Sequence, residues 1–117
     1  FSVISLSDLL TPWKLIEKRI EYASMGDFII CIYNPKSKSR SEHIGIARDI
    51  MLRYKKGETP VGIVRNAGRE GESHVVTDLE HMLEHDIDMF TVVLVGNSMT
   101  YVEKGRMITP RGYSIGG

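Results

Sequence analysis

Apolar and polar positions along the chain alternate between two periods. Val3, Ile4 and Leu6 form a short apolar run that predicts a first strand. Trp13, Ile16, Ile20 and Ala23 then recur at helical spacing, with Thr11-Pro12 ahead of them and Gly26 behind. Thr11 is placed to cap a free N–H, Pro12 suits a first helical turn that needs no donor, and Leu10 and Leu15 stand at staple spacing. Phe28 to Tyr33 is apolar on both parities, the pattern of a central strand covered on both sides. Ser39 and Glu42 have capping-box spacing and open a helix near Arg40. Its apolar face is Ile44, Ala47, Met51 and Tyr54, and its wet face is Arg48, Arg53 and Lys55.

After Gly57, two strands over 61–65 and 73–77 flank Asn66-Ala-Gly-Arg-Glu-Gly-Glu72, whose glycines suit a turn with positive φ, so an antiparallel hairpin is expected. Thr77-Asp-Leu-Glu80 repeats the capping-box spacing and predicts a third, short helix carrying Leu79, Met82 and Leu83. Phe90 to Val95 is the last clear strand, and 101–117 reads as an irregular tail. The order β-α-β-α-β-β-α-β predicts an α/β fold: a single domain over 1–117, with a mixed sheet of about five strands and about three packed helices.

Three of these strands run into an asparagine followed by a small or rigid residue: Asn34-Pro35, Asn66-Ala67 and, after Gly96, Asn97-Ser98. In α/β sheets ligands settle at the carboxyl ends of strands, where the turning backbone exposes N–H and C=O groups. An amide both donates and accepts, which suits an uncharged polar ligand such as a purine or ribose. Asn, Pro and Ser also end strands for conformational reasons alone.

Composition narrows the possibilities. Of 117 residues, 42% are hydrophobic and 26% charged, which is ordinary for one globular domain and leaves little room for a second core. Fifteen Lys and Arg balance fifteen Asp and Glu, so there is no basic field of the kind that binds nucleic acid irrespective of sequence. No apolar run approaches the ~20 residues of a membrane span. Cys31 is the only cysteine and reads as a core residue, which suits a reducing cytoplasm. The chain opens on Phe1 rather than Met and has the look of a piece of something longer.

Common site motifs are missing: no Gly-x-Gly-x-x-Gly, no phosphate loop, no nucleophile elbow and no paired carboxylates. His81 and His85 lie one turn apart but have no evident third ligand, so no metal site is expected.

Particular strings then add a resemblance. Ser5-Leu-Ser-Asp-Leu-Leu-Thr-Pro-Trp13, Asp27-Phe28 through Tyr33-Asn34-Pro35 with Ser39-Arg40, Thr59-Pro-Val-Gly-Ile-Val-Arg65, Gly96-Asn-Ser98 and Ile108-Thr-Pro-Arg-Gly-Tyr113 occur in order over nearly the whole chain. Together they resemble the precorrin-3B C(17)-methyltransferases and their counterparts acting on cobalt-precorrin-3, within the tetrapyrrole methylases of cobalamin biosynthesis. The resemblance implies a two-domain enzyme with S-adenosylmethionine (SAM) bound between the domains. On that resemblance this chain looks like the C-terminal domain alone, and activity is expected to require the N-terminal half.

Carried over by position, the implied cofactor contacts are Asn34 with Pro35, Asn66 with Ala67, and Gly96 with Asn97. The tetrapyrrole carboxylates call for arginines, and Arg40, Arg65, Arg69 and Arg111 stand in loops or at strand ends. A homodimer is also implied. No residue stands out as catalytic acid or base. Two rival readings are a non-catalytic domain that pairs subunits and a methylase of different ring position.

Overall fold

The computed structural model describes residues 1–35 and 42–110. Its elements are β1 (Ser2–Ser5), α1 (Trp13–Met25), β2 (Ile30–Tyr33), α2 (His43–Leu52), β3 (Pro60–Arg65), β4 (Ser73–Asp78), β5 (Thr91–Val95), β6 (Tyr101–Glu103) and β7 (Arg106–Ile108). The first five strands form one mixed sheet in the order β1-β2-β5-β3-β4. β1 and β2 are parallel, whereas β5 runs antiparallel to both β2 and β3. The predicted 66–72 connector does make an antiparallel β3–β4 hairpin, pairing Arg65 with Ser73 and Pro60 with Asp78.

Period-2 alternation sorts the sheet into two faces. Ile4, Ile30, Ile32, Val93, Val95, Val61 and Ile63 are buried on one face. Against them lie Ile16, Ile20 and Ala23 of α1 and Ile44, Ala47, Ile50 and Met51 of α2, all in one continuous core. Each buried Val, Ile or Met among them contributes roughly 1.5–3 kcal/mol by leaving water. The other face carries the row Val3, Cys31, Leu94, Gly62 and Val76, fixed by the strand registers. Val3 is exposed and Cys31, Leu94 and Val76 are only half-buried. β2 is therefore central but, among the described residues, helices cover it on one side only. The β6–β7 hairpin touches the open face at Gly62, where an added Cβ would stand 3.0 Å from Met107 Sδ.

Several expectations need correction. The third helix reduces to one 3-10 turn, Met82–Glu84, because Thr77 and Asp78 extend β4 in register with Val61 and Pro60. Leu79 and Met82 are buried as anticipated, without a helix to carry them. The described part of 101–117 is not irregular, since β6 and β7 pair across Lys104-Gly105. Thr11 does not cap α1; the capping position falls on Pro12, with no side-chain bond. No hydrophobic staple forms, because Leu10 is 98% exposed. Lys55 is buried rather than wet. Ser39 lies outside the described residues. No helix among the described residues is long and apolar enough to cross a membrane.

Candidate functional site

Because β1, β2 and β3 share one direction, Ser5, Tyr33 and Arg65 end at the same end of the sheet. The loops beginning at Asn34 and Asn66 are thereby brought together. Both asparagines adopt the left-handed conformation, with φ of 51° and 54°. Among non-glycine residues Asn bears this best, so each has a backbone reason to be there. The Asn34 Nδ2 donates to Ser5 Oγ at 3.2 Å. The Asn66 N–H donates to the Phe90 carbonyl at 3.1 Å. The loop after Asn66 closes on itself: the Arg69 N–H meets Asn66 O at 2.9 Å, and the Gly68 N–H meets Glu72 Oε1 at 3.1 Å. Gly68 and Gly71 supply positive φ values of 74° and 80°. Between these loops lies a cleft of about 240 Å³ bordered by Asn34, Asn66, Ala67, Arg69, Met89 and Phe90. Ala67 is exposed there, whereas Pro35 is buried and does not border the cleft.

Gly96 and Asn97 stand at the opposite end. β5 is antiparallel, so its carboxyl end meets the start of β2, with Val95 opposite Ile30. The third junction is thus not brought to the other two. Several of its polar groups are committed within the protein. Asn97 Oδ1 accepts the Met99 N–H at 2.9 Å, and the Asn97 N–H donates to Thr100 Oγ1 at 2.9 Å. A Cβ on Gly96 would meet Thr100 Cβ at 2.7 Å, so the glycine admits a side chain of the protein itself. Lys55, 7% exposed, donates from Nζ to the carbonyls of Phe28 at 2.9 Å and Gly96 at 3.0 Å. Burial lowers its pKa, against the pull of Asp27. Asp27 accepts the side-chain hydroxyl and the N–H of Ser98, and the hydroxyl bond is the main cause of its lowered pKa. A cleft of about 330 Å³ here is bordered by Asp27, Lys55, Glu58, Thr59, Asn97 and Ser98.

The arginines separate in the same manner. Arg65 forms an ion pair with Asp88 at 2.7 Å, and Asp88 also receives the Phe90 N–H at 2.9 Å, so this guanidinium braces the turn into β5. Arg69 is exposed on the cleft. Arg40 and Arg111 lie outside the described residues. His81 bonds Asp78 through Nδ1 at 2.7 Å. Among the described residues no group of three His, Cys, Asp or Glu is placed to hold a metal. Met89, Phe90, Lys55 and Asp27 had no part in the sites expected from sequence. The direction of β5 decides which of them reaches which cleft, and an apolar run reads alike in either direction.

Comparison with solved structures defines the class. The crystal structure of the methyltransferase CobJ matches with a TM-score of 0.84 and 33% identity, over 94% of this chain and 46% of that one. The X-ray structure of the cobalt precorrin-4 methyltransferase CbiF matches with a TM-score of 0.61 over 82% of this chain and 40% of that one; at 19% identity this is a likeness of fold. The fold is that of the tetrapyrrole methylases. In sequence, the chain is 51% identical over 115 residues to the probable cobalt-factor III C(17)-methyltransferase of Salmonella typhimurium, covering 98% of this chain and 48% of the relative. It is 54% identical over 110 residues to the cobalt-factor III methyltransferase of Priestia megaterium, covering 94% of this chain and 20% of the relative. The chain belongs to this C(17)-methyltransferase family. It spans about half the length of the Salmonella relative and of CobJ. No family model matches the chain.

Proposed function

We propose that this chain is the C-terminal domain of a SAM-dependent methyltransferase that alkylates carbon 17 of a cobalt-bearing tetrapyrrole, with ring contraction, in cobalamin biosynthesis. The observation that carries the reading is the meeting of Asn34 with Asn66-Ala67 at one cleft, in a chain 51% identical to a named C(17)-methyltransferase. A cobalt-bearing substrate is favoured over precorrin-3B because the relatives at 51% and 54% identity are named for cobalt-factor III. The same names argue against another ring position. A reducing cytoplasm suits the lone Cys31.

The cleft fits one side of an adenosyl group. Ala67 presents only a methyl, so a ring can approach the backbone, and the Asn34 and Asn66 amides offer both donors and acceptors. Bound SAM supplies a sulfonium methyl that needs little beyond alignment with a carbon nucleophile, and alignment is worth roughly 7–11 kcal/mol in favourable cases. The residues of this chain hold and orient, and Arg69 is free to meet a substrate carboxylate. The second wall belongs to the other domain, so the chain alone has half a site. Gly96 and Asn97 stand at the far end of the sheet and are left out of this wall.

A second reading, subunit pairing, is favoured by the exposed Leu15, Tyr22 and Met25 on α1 and by Val3 and Phe28 beside them. It is compatible with the first, as a homodimer of the whole enzyme. Calorimetry of S-adenosylhomocysteine against this chain and against the full-length protein tests the split site. Binding by the full-length form alone is expected, and binding by neither contradicts the methylase reading. Ala67→Leu in the full-length protein should weaken binding with the fold intact.

A further inference from the structure

The reversed direction of β5 has a consequence at the Asn34 end. It removes Gly96-Asn97 from that cleft and brings in the residues that precede the strand, Met89 and Phe90. Phe90 is unusually well held for an exposed aromatic. Its N–H donates to Asp88 Oδ1 at 2.9 Å, and its carbonyl receives the Asn66 N–H at 3.1 Å. Asp88 is itself fixed by Arg65 at 2.7 Å and by the Thr91 hydroxyl at 2.9 Å. The backbone of Phe90 is therefore anchored to the ends of β3 and β5, yet the residue remains 54% exposed. Met89 beside it is 47% exposed. A large apolar surface kept in water beside polar groups, on a fixed backbone, is what a preformed stacking platform requires.

The geometry points to Phe90 as a binding residue that stacks on the adenine of the methyl donor, with Met89 extending the shelf. This rests on the reading of the cleft given above and adds to it a residue and a mode of recognition. The occupant is the purine rather than the macrocycle because Phe90 and Met89 border the same cleft as Asn34, Asn66 and Ala67, the residues read above as meeting the adenosyl group. Ala67 lets the ring come close to the backbone, Asn34 and Asn66 meet its polar rim, and Phe90 supplies the flat apolar surface. The paired sulfonium and carboxylate of the donor need no contact with Phe90, so its contribution falls on the adenosyl half.

The test is S-adenosylhomocysteine affinity in the full-length protein for Phe90→Trp, Phe90→Leu and Phe90→Ala, with Ala67→Leu alongside and thermal midpoints for all. Stacking predicts affinity that is kept with Trp, reduced with Leu and about 5- to 100-fold weaker with Ala. A merely structural role for Phe90 gives the opposite order, with Leu near wild type and Trp worst, and overturns the inference. Full affinity for Phe90→Ala while Ala67→Leu binds weakly also overturns it and leaves the donor cleft standing. Unchanged affinity in both variants removes the donor cleft as well. Loss confined to the KM for the tetrapyrrole, with donor affinity intact, assigns Phe90 to the macrocycle and refutes the stacking role. Should Phe90→Ala fail to fold, the contrast between Trp and Leu decides.

Discussion

The two ends of the sheet use the same device, a strand running into asparagine, and surround it differently. At the Asn97 end side chains are committed within the protein: Asn97 accepts the Met99 N–H, Lys55 donates to the carbonyls of Phe28 and Gly96, and Ser98 donates to Asp27. At the Asn34 end the backbone is just as firmly set, through Ser5 and Phe90, but Ala67, Arg69, Met89 and Phe90 are left exposed to the cleft. Internal satisfaction marks structure, whereas ordered but open groups mark a place for a ligand. Strand direction explains the division. β1, β2 and β3 deliver their carboxyl ends to one side, whereas β5, like β4, delivers its own to the other.

Variants that strike each end separately test this contrast. The largest expected effect is Lys55→Met. It relieves a buried ammonium but leaves the carbonyls of Phe28 and Gly96 without a donor. Unfolding in urea should show a loss of about 2–4 kcal/mol, with donor affinity unchanged in the folded protein. Gly96→Ala comes next, since its methyl must displace Thr100; a loss of about 1–3 kcal/mol is expected, again without effect on donor binding. Asn34 acts at the other end. Asn34→Ala should cost about 1–2 kcal/mol for placing Ala in the left-handed region, and Asn34→Gly should recover that stability. Neither should recover donor affinity in calorimetry, because both lack the amide. Recovery by Gly would reduce Asn34 to a turn residue.

The smallest effects are in pH dependence. Ser98 holds the Asp27 pKa below its ordinary 3.8, so the bond adds stability that is full above that value and fades as pH falls through the lowered pKa. Asp27→Asn should flatten the acid limb of a stability profile. Asp78 raises the pKa of His81 above 6.5, chiefly by their side-chain bond, so that contribution is full below 6.5 and fades as pH rises through the raised value. His81→Gln should flatten that limb, with both ends of the sheet unaffected.

How far the sequence could be read follows from which physical rule governs each part. Ile16, Ile20 and Ala23, and Ile44, Ala47 and Met51, keep helical period and are buried as expected, whereas Tyr54, expected on the same face, lies past the end of α2 and is 45% exposed. The hairpin after Asn66 announced itself through Gly68 and Gly71. The third helix failed because Thr77-Asp-Leu-Glu80 has capping-box spacing but strand ladder bonds claimed its first half. β6 and β7 were legible in principle: Lys104-Gly105, at φ of 52° and 74°, fits the two-residue hairpin turn that wants positive φ at both positions. The burial of Lys55 is not legible locally, because a lysine is seldom fully buried unless paired and its partners are the carbonyls of Phe28 and Gly96, distant in sequence. Asn34 with Pro35, Asn66 with Ala67 and Gly96 with Asn97 stand out alike in local pattern as strand-ending junctions. The separation of Gly96-Asn97 and the arrival of Phe90 depend on tertiary pairing, which local pattern does not encode.

The most direct measurement is a crystal structure of the full-length protein with S-adenosylhomocysteine bound. The account predicts the adenosyl group against Ala67 and Phe90, within hydrogen-bond reach of the Asn34 or Asn66 amide. An adenosyl group lodged at the other end, among Lys55, Asp27 and Ser98, would contradict it.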